Sequence, residues 1–245
     1  MLTFILVIVG VILLTIVLVK LIDKFIPSKL KPVLIIALWV LIAFLGYKTF
    51  MSVYNPILFN KEKEKRYGVV IKSLEDIRDA QLAHRTVTGR FASDFDKLVK
   101  FIDTAKFTLT QRRDSSVVDK ELTKRYGGVE TFKDIVIIDT LGFTPVKDSL
   151  FKNSDRYKKI MNVPVGKEGE KFELKAGFVE QNDLQIPVFE ASVKKDVILY
   201  DQPKDLVMQE KQVMSVEGVN GDALKVGSME EVKTTGNWPK VYGTE

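Results

Sequence analysis

Cysteine is absent from these 245 residues and histidine occurs once, at His84. No disulfide scaffold, thiolate metal site or thiol nucleophile is available, and one imidazole leaves little room for histidine-based catalysis. The phosphate-cradling patterns Gly-x-x-x-x-Gly-Lys-Ser/Thr and Gly-x-Gly-x-x-Gly do not occur, nor does a Gly-x-Ser-x-Gly elbow. There is no loop of alternating acids of the calcium-binding kind. Charge of one sign is also scarce outside the first quarter of the chain. Residues 1–59 hold five lysines against Asp23, so most of the net charge of +5 lies there. The nearly neutral remainder has no electrostatic footprint for nucleic acid beyond the run Lys61–Arg66.

Apolar runs, by contrast, are long. Leu2 to Val19 is 18 residues without a charge, enough helix to cross roughly 27 Å at 1.5 Å per residue. Nothing basic precedes the run and no small-residue cleavage site follows it, so it reads as a retained span rather than a signal peptide. A second run, Val33 to Tyr47, precedes Lys48, whose ammonium can snorkel to an interface. The predicted arrangement is a two-helix transmembrane hairpin over residues 1–59, with spans at about 2–19 and 33–50 and Pro56 ending the second helix or starting a new one. Lys20, Lys24, Lys29 and Lys31 in the connector place it in the cytoplasm and the rest of the chain outside. Neither span carries an internal Asp, Glu or His, so the hairpin reads as an anchor rather than an ion path.

Val70, Leu74 and Ile77 at helical spacing predict a helical stalk over 60–104, broken at Gly89 and resumed behind Ser93 or Asp94 as cap. The stretch from Ile77 to Ile102 carries Arg78, Ala80, Gln81, Gly89, Arg90, Phe91 and Leu98. In this it resembles the segment of type IV pilins and pseudopilins where the long helix ends in a polar turn and a Leu-bearing piece. The resemblance covers about 26 residues and comes without that family's processing site or the glutamate of its first span. It implies a role in an envelope machine.

Residues 105–245 are predicted to form an α+β extracytoplasmic domain, mainly an antiparallel sheet. Strands are expected at Phe107 to Thr110, at 171–179, 185–193 and 196–200, and as a buried strand from Asp134 to Asp139 ending near Gly142. A helix and loop are expected over 111–132, and a short helix near 148–159. Asn220-Gly221 signals a tight turn between arms at Met214–Val219 and Leu224–Val226. Trp238 with Pro239 is placed to seal the C-terminal end.

No catalytic, cofactor-binding or metal-ligating residue is singled out. Asp94, Asp96, Asp134 and Asp139 are the acids from which a carboxylate-dependent hydrolase would have to be built; a ligand-binding domain is the third alternative. The leading expectation is a non-enzymatic structural or accessory subunit of a bacterial envelope assembly of the secretion or surface-motility type. It would sit in the inner membrane, with the lipid bilayer and other envelope membrane proteins as partners, no nucleic acid, no cofactor, and room for a homo-oligomer.

Overall fold

The computed structural model describes residues 30–152 and 154–242, together with 9, 10, 13, 15–17, 19, 20, 24 and 27. Most of the 2–19 run lies outside the described residues, and the two-helix hairpin with it. What is seen is one helix, α1, from Lys31 to Thr88, 58 residues long. It joins the 33–50 run to the segment expected as a stalk without a break, so Pro56 does not end it. Proline removes one donor, the one that would reach the Ser52 carbonyl. The turns on either side, with Phe50, Met51, Val53 and Tyr54 before it and Ile57, Leu58 and Phe59 after it, carry the helix past that single loss.

The chain divides into two compact units, 1–58 and 59–245. In the first, α1 is apolar on every face and its side chains are exposed. Its most apolar 18-residue window has a mean hydropathy of 2.2 and no buried residue. Among the described residues it is the one helix long and apolar enough to cross a membrane, which is compatible with a membrane anchor.

In the second unit α1 changes character. Tyr67, Val70, Ile71, Leu74, Ile77 and Gln81 are buried, a three-and-four spacing that aligns them on one face. Gly89, at φ +79°, ends the helix. Helix α2 (Phe95–Thr104) starts behind Asp94, whose side chain accepts from the Lys97 amide at 2.8 Å. Its Leu98, Phe101 and Ile102 join the same core.

Two antiparallel sheets follow. Strands β1 (Lys106–Val118) and β2 (Phe132–Pro145) form a two-stranded ribbon, with α3 (Lys120–Arg125) at its far end. Helix α4 (Val146–Phe151) and a 3₁₀ turn at Arg156–Lys159 return the chain to the core. The second sheet has the order β3 (Glu173–Gln181), β4 (Leu184–Lys194), β5 (Ala223–Gly227). Helices α5 (Lys195–Ile198) and α6 (Lys204–Lys211) lie between β4 and β5 in the chain. The β3–β4 hairpin turns on Asn182 and Asp183, both at positive φ, as a two-residue turn matched to strand twist demands. Phe189, Ala191 and Val193 on β4 and Leu224 and Val226 on β5 meet the helices in one core. The architecture is thus α+β with antiparallel sheets.

Several local expectations change. Residues 111–118 are strand, not helix or loop, because the branched run of β2 pairs with them across the ribbon. Asp134 to Asp139 is a strand, but not a buried one: Ile135 and Ile137 are half-buried and the other four residues are exposed. Residues 196–200 begin with a helical turn, closed by the Leu199 amide on the Lys195 carbonyl. The segment 214–219 is no strand, since the Asn220 side chain accepts from the Ser215 amide at 2.9 Å and closes the loop on itself.

Candidate interaction site

A two-stranded ribbon is at best marginally stable in water unless something covers a face. Here thirteen residues of β1 pair along β2, with a bulge that leaves Leu141 over. Alternation then assigns the faces. On one face Arg112 lies opposite Ile138, Asp114 opposite Val136, and Val118 opposite Phe132. On the other, Arg113 lies opposite Ile137, Ser115 opposite Ile135, and Val117 opposite Lys133. Both faces therefore carry large apolar groups, and most are in solvent: Ile138 and Phe143 are each 65% exposed, Leu141 66% and Phe132 57%. The ribbon is rooted where the Val146 amide donates to the Ala105 carbonyl at 3.0 Å.

The far end is built by capping. Asp119 Oδ1 accepts from the amides of Glu121 and Leu122, at 3.0 and 3.1 Å, and starts α3. The Asp119 amide in turn donates to the Thr131 carbonyl at 2.7 Å, which closes the loop onto β2. Gly127 and Gly128, at φ +71° and +98°, make the reversal.

The four candidate acids do not converge. Asp94 caps α2 and pairs with Lys97 at 2.7 Å. That hydrogen bond holds its carboxyl below the usual carboxylate range. Asp96 lies in the first turn of the same helix. Asp134 and Asp139 are five residues apart on one strand, so they project from opposite faces. Asp139 pairs with Arg113 at 3.1 Å. His84 lies one turn before the end of α1: its Nδ1 donates to the Arg90 carbonyl at 2.6 Å, and its ring lies 4.7 Å from that of Phe101. A cleft of about 270 Å³ opens beside it, lined among others by Arg90, Ser93, Lys97 and Phe178. The Ser93 hydroxyl there is engaged with Asp94 and Lys97 rather than with the imidazole. Among the described residues no three His, Cys, Asp or Glu side chains are grouped to hold a metal ion.

One charged cluster was not legible in the sequence. Lys195 is fully buried, and its Nζ donates to the carbonyls of Glu210 and Val219, both at 2.7 Å, and to Glu210 Oε1 at 3.3 Å. Tyr67 donates to the same Oε1, and Lys63 pairs with Oε2 at 2.9 Å. Burial pushes the Lys195 ammonium down, against the pull of Glu210. Burial also pushes the Tyr67 phenol well up. Every partner is an acceptor inside the fold, so the cluster ties α6 and the 213–219 loop to the end of β4. Nothing around Lys195 in the sequence marks it, because Lys194 beside it is an ordinary exposed lysine. The exposure of the ribbon was equally hidden.

No family model matches this chain, and neither a curated protein nor a solved structure does.

Proposed function

We propose that this chain is a non-enzymatic, membrane-anchored accessory or structural subunit of a bacterial envelope assembly, and that its β1–β2 ribbon makes the contacts. The observation that carries the reading is a ribbon with branched and aromatic residues exposed on both faces, an arrangement that marks an interaction surface. The anchor supports it: 33–50, and 2–19 as a second span, would hold the chain in the inner membrane. The lysines of 20–31 would keep the connector in the cytoplasm and the folded unit outside. The likeness of 77–102 to pilin segments favours a secretion or motility machine over a free-standing receptor.

Two experiments test it. Replacing 110–141 by Asn-Gly, which joins Leu109 to its cross-strand neighbour Gly142, removes the ribbon and keeps the core. The expected result is a folded, membrane-bound protein that no longer co-purifies envelope partners from gentle detergent; unchanged co-purification would reject the reading. Because the chain has no Cys, Val216→Cys, at a site 94% exposed, supplies a unique thiol. A membrane-impermeant maleimide is expected to label it in intact spheroplasts, and labelling only after lysis would reverse the topology.

A further inference from the structure

The ribbon has two free long edges, and they differ. The β1 edge carries Arg112, Arg113 and Asp114 at its centre, the kind of charge that keeps an edge from pairing. The β2 edge carries four branched residues in a row, Ile135-Val-Ile-Ile138, with no proline and no charge among them. Charges stand only at the flanks: Lys133 and Asp134 before the run and Asp139 after it, with Lys133 and Asp139 each three residues from Val136.

That spacing is self-complementary. In an antiparallel pair, side chains directly opposite share a face. If β2 of one copy meets β2 of another about a two-fold axis at Val136, Ile135 falls opposite Ile137 of the second copy. Lys133 then falls opposite Asp139, twice, on that same face. Shifting the axis by one residue in either direction, which moves the register by two, places Lys133 opposite Ile137 or Leu141, so one register matches charge to charge. Lys133 has no ion pair among the described residues, and Asp139, joined to Arg113 through one oxygen, is 48% exposed. Asp134 falls opposite Ile138 on the other face and stays in water.

We infer that the β2 edge is a docking site for a second copy of this chain, two ribbons joining into a four-stranded sheet across Val136. This rests on the reading that the ribbon makes the contacts, and it names the partner. A membrane anchor would favour the pairing by confining copies to one plane and raising their effective concentration. The junction also pairs the outward backbone groups of the two β2 edges and makes a four-stranded sheet of two marginal ribbons.

The test uses the full-length chain in vesicles. Val136→Cys sits on the axis, opposite itself, and under mild oxidation is expected to form a dimer at least about tenfold faster than Arg112→Cys or Val216→Cys. Lys133→Asp, which sets like charges opposite one another at two places, is expected to weaken the dimer about tenfold, whereas Lys133→Arg leaves it intact. Cross-linking at 136 no faster than at 216, or equal dimerisation of the Asp and Arg variants, overturns the inference. If either occurs while ribbon replacement still abolishes partner binding, the ribbon remains the contact surface and only self-pairing is rejected.

Discussion

Gln81 and Ala92 hold each other by two hydrogen bonds across the end of the long helix. The Gln81 amide donates to the Ala92 carbonyl at 2.9 Å, and the Ala92 amide donates back to Gln81 Oε1 at 2.8 Å. Both residues are buried, so neither backbone group has water as a substitute. Gln81→Ala, or Gln81→Met with its similar length, leaves both groups unpaired. Either change is expected to cost about 2–4 kcal/mol, read as a lower urea midpoint in far-UV circular dichroism.

Lys195 and Glu210 make the second prediction. Lys195→Met strands two carbonyls and leaves Glu210 with only Lys63 and Tyr67. A loss of about 3–5 kcal/mol is expected for this broken pair. Replacing both residues by Met is expected to recover none of that loss, because the two carbonyls stay stranded and Tyr67 and Lys63 lose Glu210 as their acceptor. Urea unfolding of the two singles and the double gives the coupling directly.

Arg66 grips Asp201 with two hydrogen bonds, at 2.6 and 2.9 Å, and also donates to the Ile198 carbonyl. The guanidinium lowers the Asp201 carboxyl from its ordinary 3.8 to about 2. A carboxyl lowered on folding adds stability above its unfolded value and loses it as pH falls through its folded one. The contribution is therefore complete above pH 3.8 and disappears towards pH 2. Because the carboxylate is 41% exposed, screening limits it to about 1 kcal/mol. Asp201→Asn is expected to flatten that part of the acid unfolding profile and to lower stability by this amount at neutral pH.

Gly227 closes β5 at φ +78°, and a Cβ there would lie 2.1 Å from the Phe189 carbonyl oxygen. Backbone strain and a backbone clash act together. Gly227→Ala is expected to cost at least about 3 kcal/mol, whereas Gly221→Ala, with φ +87° but open space, is expected to cost about 1 kcal/mol. Thermal unfolding of the two variants separates strain from contact.

Much of the helical part was legible in the sequence. Gly89 and Asp94 mark an end and a beginning through backbone chemistry that acts within a few residues. The face of Val70, Leu74 and Ile77 is readable from period alone. Pro56 misled because proline's cost is local and finite, and the flanking turns outweigh it. Asn182-Asp183 could have been found as a hairpin turn.

By itself, then, the sequence determined the apolar helix, the α+β class and the local caps, because hydropathy, period and capping need no distant partner. Tertiary structure decided which strands have cover. Ile135 to Ile138 reads the same whether a core or water lies against it, and only the packing left Val136 and Ile138 exposed and Ile135 and Ile137 half-buried on a free edge. The same holds for Lys195, whose burial follows from α6 and the 213–219 loop closing over it. Nothing in a side chain's own identity says what will pack upon it.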